Sequence, residues 1–243
     1  MKFTYQNLYE LHQVIKKNDY HYVFFDEQNS HERTVILRHD VDFSLEKAKQ
    51  LAIFESKIEV KSTYFFLLSS PFYNLNTPYA KNLINFIQAN GHEIGLHFDE
   101  ALYPFISLND LVRNIQNEVS YLSLIINRPI KYVSMHRPSK NVLETDLQLN
   151  QVINTYSKKF FSEYGYISDS RRFWKTDPFQ FFNSKKQSKI QLLTHPIWYN
   201  EIELSLKESL KSFVKGKFAE IIEGMNSNFT NLQEAIDFEE FKL

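Results

Sequence analysis

Arg38, Asp40 and Asp42 occupy every second position at the end of an apolar run. Because successive side chains of a strand point to opposite faces, Arg38, Asp40 and Asp42 are predicted to share one face. His39 and Val41 then lie on the other face. A carboxylate beside a guanidinium is kept ionised and can act as a base, while a second carboxylate can bind a metal. The spacing therefore predicts a general base and a metal ligand on one strand.

Histidines end three further apolar runs, at His97, His136 and His195. The chain has no cysteine, so any metal must be held by imidazole and carboxylate groups. The ligand set expected here is Asp42, His97 and His136, because three protein ligands leave one position open for water. Thiol catalysis, disulfides and iron-sulfur clusters are excluded by the same absence of cysteine.

Six apolar runs that alternate with helical patterns would position these side chains. The runs lie at 34–42, 62–68, 93–98, 131–136, 164–169 and 190–195, and one of the intervening helices is predicted at about 108–126. Such alternation is typical of a parallel α/β sheet, either a barrel or a doubly wound sheet. In both, active sites form at the carboxyl ends of the strands, where the polar residues of this chain are found.

One α/β domain is predicted over residues 1–243, since no linker, repeat or charge block interrupts the sequence. It includes an amphipathic helix at about 202–225. The formal net charge of -1 provides no basic field for nucleic acid. The sequence contains no run of about 18 apolar residues, so no membrane span is predicted. We recognise no secretory signal and therefore expect a cytoplasmic protein.

The N-terminal segment carries three of the eight histidines. His12, His21 and His31 lie away from the predicted strand ends, and we expect them to be ordinary surface or boundary residues. Further along, Ser44 is predicted to cap the helix that follows the first run, because a serine hydroxyl can accept from a free amide of the first turn.

The segment from Gly91 to His97, GHEIGLH, is very similar to the GHEIGNH motif of the polysaccharide deacetylase superfamily, which contains chitooligosaccharide and peptidoglycan deacetylases. Other motifs of that family are resembled in order at 35–42, 63–66, 136–138 and 193–195. The resemblance covers about residues 34–198. It implies a distorted (β/α) barrel with six to eight parallel strands and a divalent metal, usually zinc, bound by one aspartate and two histidines.

Carried over by position, the resemblance implies roles for four residues. Asp40 matches the catalytic base and His97 the first histidine ligand. Arg137 matches the residue that positions the base, and His195 matches the catalytic acid.

The chain departs from the family pattern at two places. The family's aspartates are adjacent, whereas Val41 separates them here, so Asp42 is taken as the metal ligand from the shared strand face. Ala101 stands where the family has its second histidine. His136 is the replacement expected, because it ends the neighbouring strand. Asp99 is the runner-up, followed by Glu100 and His39, and the chain resembles the divergent deacetylase-like proteins of surface-polysaccharide gene clusters.

The resemblance and the residues together predict a metal-dependent hydrolase that removes an N-acyl group, expected to be acetyl, from a sugar. A nucleotide- or lipid-linked precursor of a surface polysaccharide is the substrate expected in the cytoplasm. Asp169 is expected to orient His195, and Arg38, Trp174 and Trp198 are expected to contact the substrate. The alternatives are another amide hydrolase on the same site, such as a deformylase, and a catalytically inactive carbohydrate-binding relative.

Overall fold

The computed structural model describes residues 1–27, 30–103 and 107–237, and the chain divides into two compact units, Met1–Glu201 and Ile202–Leu243. The helices of the described residues are α1 (Tyr5–Lys17), α2 (Leu45–Lys57), α3 (Pro78–Ala89), α4 (Leu108–Ile126), α5 (Lys140–Glu144), α6 (Pro178–Asn183), α7 (Leu206–Asn226) and α8 (Leu232–Ala235). The strands are β1 (His21–Tyr22), β2 (Thr34–Val41), β3 (Thr63–Leu67), β4 (Glu93–Asp99), β5 (Tyr132–His136), β6 (Ile153–Asn154), β7 (Gly165–Ser168) and β8 (Lys189–Thr194). Short 3-10 turns lie at Glu100–Leu102, Ser170–Arg172 and Pro196–Trp198, and a π turn lies at Lys159–Glu163.

The strands form one curled, parallel sheet in the first unit. Its order is β6-β5-β4-β3-β2-β8-β7, with β1 paired to the start of β2. Within the described ranges no pairing joins β6 to β7, so the sheet is a half-barrel that remains open between them. The predicted fold class, an α/β distorted barrel with six to eight parallel strands, is confirmed.

The predicted elements agree closely with those observed. All six predicted strands are present within two residues of their predicted ends, and α4 has the predicted bounds. Ser44 caps α2 by accepting a hydrogen bond from the amide of Lys47, as predicted. The two-residue strands β1 and β6 were not predicted, because segments this short have no periodicity of their own.

Aromatic and aliphatic side chains fill the inner face of the sheet below the strand ends. Ile36 of β2, Phe65 of β3 and Tyr132 of β5 belong to one buried cluster. Gly95 of β4 faces the same cluster, and a Cβ atom there would lie 2.3 Å from the Phe65 ring. The second glycine of the motif at 91–97 therefore makes room for Phe65.

A polar cluster occupies the opposite face of the sheet, under α2. The Glu55 carboxylate of α2 is fully buried and lies 2.8 Å from His39 Nε2. It also accepts hydrogen bonds from Ser62 Oγ at 2.7 Å and Tyr64 OH at 2.9 Å. Burial opposes the negative charge, but His39 outweighs it and lowers the pKa of Glu55 to about 2. The cluster thus fixes α2 to β2 and β3.

The expectation for His12 was wrong. Its ring is fully buried on α1, and its Nδ1 lies 2.6 Å from the Tyr22 hydroxyl. Burial lowers the pKa of His12 to about 4, against the attraction of Glu55, so the folded protein holds this imidazole neutral. His21 and His31 are exposed, as expected, and their rings stack on each other.

The second unit contains the predicted C-terminal helix. α7 begins with a capping box in which Ser205 and Glu208 satisfy each other's backbone amides. Apolar side chains recur along it at Leu206, Leu210 and Val214, and all three are exposed. No helix in the described part of the chain has the length and apolar content needed to cross a membrane.

Replacing His12 by leucine should make the free energy of unfolding decrease less steeply as the pH falls. The unfolded chain takes up a proton at His12 as the pH falls from 6.5 toward about 4, whereas the folded chain does not, so acid favours unfolding in this window. The shift corresponds to about 3 kcal/mol. Urea unfolding between neutral pH and about pH 5 measures the slope. Gln13→Ala, at an exposed position of the same helix, is the control. An unchanged slope in His12→Leu would contradict the assignment.

Candidate functional site

The predicted site residues gather at one end of the sheet. Asp40 lies in β2, and Asp42 is the first residue after this strand. His97 lies in β4, His136 ends β5, and His195 is the first residue after β8. Since all these strands are parallel, their carboxyl ends meet at one rim. Both aspartates face the barrel only in the observed register of β2 with β3 and β8. A shift of one residue would turn Asp40 and Asp42 to the outer face.

Three side chains converge on a common point at this rim. Asp42 Oδ1 lies 3.2 Å from His97 Nε2 and 3.4 Å from His136 Nδ1, and the two imidazole nitrogens are 3.1 Å apart. In a tetrahedral zinc site with ligands at about 2.0 to 2.2 Å, neighbouring ligand atoms lie about 3.3 to 3.6 Å apart. The triangle formed by the three ligand atoms is therefore close to the size that a zinc ion requires.

The chemistry of the three groups also fits a divalent cation. Asp42 Oδ1 is buried and, among the described residues, has no hydrogen bond of good geometry despite its short distances to both imidazoles. Burial opposes its charge, but His136 and His97 outweigh this and hold the pKa of Asp42 well below its usual range. An ionised oxygen and two facing nitrogens form a possible three-residue metal site, as the sequence predicted.

The other groups considered as third ligand are engaged elsewhere. Asp99 Oδ1 accepts from the amide of Ala101 and its Oδ2 from Arg137, while Glu100 accepts from the amide of Ser139. His39 is on the outer face, where Glu55 and Thr194 bind its two ring nitrogens. His136 is the residue that the structure brings to Asp42 and His97.

Asp40 lies beside this triangle, and two side chains fix its orientation. Its Oδ2 accepts from Arg38 Nη2 at 3.1 Å, and Ser134 Oγ is 3.4 Å from its Oδ1. The same Oδ2 is 3.8 Å from His97 Nε2. The carboxylate is only 3% exposed, so it borders the ligand cluster from within the barrel.

Arg38 has a different place from the one expected. It was predicted to contact substrate, but it is completely buried, so this prediction is wrong. Its guanidinium lies over the Phe65 and Tyr156 rings and donates to Asp40, Thr155 Oγ1, Tyr156 OH and Gln191 Oε1. Burial opposes the charge, but Asp40 outweighs it and raises the pKa of Arg38 above its ordinary value.

Arg137 also differs from the expectation that it positions the base. Its Nη2 donates to Asp99 Oδ2 at 2.8 Å, and its side chain is 70% exposed. Arg38 holds Asp40 in its place. The sequence contained evidence that Arg38, and not Arg137, contacts Asp40. Side chains alternate along β2, so Arg38 and Asp40 lie on one face two residues apart.

His195 and Asp169 form the pair that the sequence predicted. The Asp169 carboxylate is fully buried, lies 2.6 Å from His195 Nδ1 and accepts from the backbone amide of His195 and the hydroxyl of Tyr199. Burial disfavours the imidazolium, but Asp169 outweighs burial and raises the pKa of His195 to about 9. His195 Nε2 lies 3.9 Å from Asp42 Oδ2, so the imidazolium borders the ligand cluster opposite its Asp169 contact.

A cavity of about 710 Å³ opens beside Asp42 and His136. Phe43 and Phe72 line it, and their rings stack with centroids 5.0 Å apart. Neither ring was predicted from the sequence to line the site, although Phe43 directly follows Asp42. Trp174 and Trp198, which were expected to contact substrate, are only 9% and 7% exposed and are not among the described residues that line this cavity. Trp198 instead packs near Phe43, with ring centroids 6.4 Å apart.

No protein-family model and no curated protein matches the sequence. Among solved structures, the peptidoglycan deacetylase PdaC from Bacillus subtilis is similar at 12% identity over 84% of this chain and 98% of that chain, with a TM-score of 0.46. The chitin deacetylase of the fungal pathogen Colletotrichum lindemuthianum is similar at 17% identity over 75% of this chain and 81% of that chain, with a TM-score of 0.41.

A carbohydrate esterase family 4 pseudoenzyme from Bacillus anthracis is similar at 14% identity over 79% of this chain, with a TM-score of 0.43. The chain spans 62% of that protein's length, less than two thirds. These likenesses are distant, so the chemistry of the site has to follow from its own residues. Two of these three solved structures are thus deacetylases, and the third is a pseudoenzyme of carbohydrate esterase family 4.

Proposed function

We propose that this protein is a metal-dependent hydrolase that removes an N-acetyl group from a sugar. The observation that carries the proposal is the arrangement around Asp42. A cluster of three atoms that could bind a metal is bordered by a carboxylate paired with an arginine and by an imidazole paired with an aspartate. Amide hydrolysis requires these parts, because a proton must be removed from water and another must be delivered to the leaving amine.

Asp42, His97 and His136 would hold the metal. Two imidazoles and one carboxylate without a thiolate are a ligand set suited to zinc, with a further position left for water. A divalent cation bound there would supply Lewis-acid chemistry, lowering the pKa of a water molecule and polarising the carbonyl of the acyl group.

Asp40 is the base in this proposal. Its carboxylate borders the ligand cluster and takes the proton of the attacking water. Arg38 and Ser134 hold the two carboxylate oxygens, so the base needs little reorientation during the reaction. The fully buried Arg38 acts through Asp40 and is a positioning residue.

His195 is the acid. With its pKa raised to about 9, the imidazole is protonated at neutral pH and can donate from Nε2 to the amine that leaves. Asp169 fixes the ring through Nδ1, which orients Nε2 toward the cluster. The base thus borders the cluster at His97 Nε2, and the acid borders it at Asp42 Oδ2.

The sugar would bind in the cavity lined by Phe43 and Phe72. Aromatic rings present an apolar face to the C–H groups of a sugar ring, while Ser69 and Ser70 line the same cavity with hydroxyl groups. An N-acylated sugar is chosen over other amides because of the motif resemblance. A deformylase would use the same catalytic residues, so only the products distinguish the two.

Protein reconstituted with zinc should release acetate from N-acetylated sugars, and protein stripped of metal should not. Metal content and acetate release, measured on one preparation, test this. Formate release from N-formylated sugars in place of acetate would identify a deformylase. Stoichiometric zinc and sugar binding without release of either acid would favour an inactive carbohydrate-binding protein over the proposal.

Asp40→Asn and Asp42→Asn should separate the two aspartates by role. Asp40→Asn should reduce turnover by at least about 100-fold while the folded protein keeps its zinc, because the base is removed and the three proposed zinc ligands remain. Asp42→Asn should lose zinc as well as activity. Zinc content after dialysis and near-ultraviolet circular dichroism measure binding and folding. If Asp40→Asn loses zinc and Asp42→Asn keeps it, Asp40 is the zinc ligand and Asp42 the base.

Asp169→Asn should move the alkaline limb of the pH-rate profile to lower pH. Asp169 raises the pKa of His195, so removing its charge lowers that pKa and the acid loses its proton earlier as the pH rises. A shift of about one to two pH units is expected. Asp19→Asn, which removes a carboxylate that is 80% exposed, is the control. An alkaline limb unchanged in Asp169→Asn would rule out His195 as the acid.

A further inference from the structure

Arg137 provides the cavity beside the metal-ligand cluster with a positive charge that the proposed reaction does not use. Among the described residues lining this cavity, it is the one lysine or arginine, whereas Asp42 and Asp99 contribute negative charges. Hydrolysis of a neutral N-acetyl sugar requires no cation here. Asp40 already has its own guanidinium partner in Arg38.

The Arg137 side chain is fixed at one end and open at the other. One of its five N–H groups donates to Asp99 Oδ2 at 2.8 Å, and the Asp99 side chain is only 8% exposed. The rest of the guanidinium is accessible, since the Arg137 side chain is 70% exposed. A buried carboxylate therefore anchors a planar donor group over the cavity without covering it.

The backbone supports this placement. Arg137 has φ +49°, in the left-handed region that few residues other than glycine adopt. Two residues later, the amide of Ser139 donates to Glu100, next to the anchoring Asp99. The loop after β5 is thus bonded twice to the end of β4. Strained backbone of this kind persists where neighbouring contacts hold it in place, and it is frequent at ligand-binding sites.

We infer that Arg137 binds an anionic group of the substrate, and that the substrate is an N-acetyl sugar carrying a phosphate. The inference rests on the proposed function, which it makes more specific. A guanidinium presents paired N–H donors that match two oxygens of a phosphate, and the contact is charge-assisted. The cavity volume of about 710 Å³ accommodates a sugar together with such a group.

The test compares kcat/KM for N-acetylglucosamine 1-phosphate with that for the methyl glycoside of N-acetylglucosamine. The zinc-loaded protein should prefer the phosphate ester, and Arg137→Gln should reduce this preference by roughly 10-fold or more, mainly through KM. Arg137→Lys should restore part of it, because lysine keeps the charge but lacks the paired donors. The preference should also decrease with added salt in the parent and less so in Arg137→Gln.

Arg128→Gln is the matched control, since Arg128 is exposed and precedes β5 at the other end of the same strand. It should leave the preference unchanged. A uridine diphosphate derivative and a uronic acid derivative of the same sugar distinguish a diphosphate and a carboxylate from the monophosphate. Equal loss for charged and neutral substrates in Arg137→Gln, or a parent that prefers the neutral glycoside, would overturn the inference.

Binding of N-acetylglucosamine 1-phosphate by calorimetry separates this inference from the proposed function. Binding that Arg137→Gln weakens, without acetate release by the parent, would mean that the proposed hydrolysis is wrong while the anion site stands. Acetate release that does not depend on Arg137 would mean the reverse. If the parent neither binds this compound nor releases acetate, both the inference and the proposed function are overturned.

Discussion

The buried ion pair between Arg38 and Asp40 is the constraint on which the site depends. A guanidinium with no exposed surface has to be neutralised and supplied with acceptors inside the barrel. Asp40 neutralises it, while Thr155 and Tyr156 after β6 and Gln191 of β8 accept three further hydrogen bonds from its Nη atoms. The charge therefore ties together strands that lie on both sides of β2. It also fixes the carboxylate whose position beside the ligand cluster makes it suitable as a base.

The outer face of β2 carries a second buried polar cluster, and strand alternation separates it from the first. His39 lies between Arg38 and Asp40 in sequence but points away from the barrel, toward Glu55. Its other nitrogen lies 2.7 Å from Thr194 Oγ1, next to His195 in the chain. β2, which leads to Asp42, is thus linked to β8, which leads to His195, by side chains as well as by backbone pairing. Rigidity at the rim follows, because both faces of β2 are bonded to their neighbours.

The sequence predicted the elements and the convergence of Asp42, His97 and His136, for physical reasons. Strands buried on both faces form apolar runs, so a charged residue at their ends stands out, and the parallel topology brings those ends together. His136 could be chosen over Asp99 because it ends the strand next to β4. The register of the sheet then places His97 and His136 on adjacent strands, two pairs apart. These predictions needed only periodicity and topology.

The roles of the two arginines and the two tryptophans depended on information that a sequence pattern does not contain. Whether Arg38 or Arg137 reaches Asp40 is decided by the burial of Arg38 beside Asp40 and by the left-handed backbone and exposed side chain of Arg137. Burial of Trp174 and Trp198 depends on loops that have no periodicity, and so does the pairing of Phe43 with Phe72. His12 was misassigned for a related reason. A histidine on the buried stripe of a helix resembles one at its margin until the packing of Tyr22 and Phe54 is known.

The separation of the two aspartates by Val41 has a geometric consequence for the third ligand. With one residue between them, both carboxylates project from the same face of β2, and each reaches the rim inside the barrel. Asp42 is then displaced by two residues along the strand from Asp40, and its Oδ1 meets His97 Nε2 above the end of β3. The third atom of the candidate metal site comes from β5, which ends beside this point and presents His136 Nδ1 at 3.4 Å from Asp42 Oδ1. The spacing of the aspartates and the origin of the third candidate ligand are thus two parts of one arrangement, in which each candidate ligand lies at the carboxyl end of a strand.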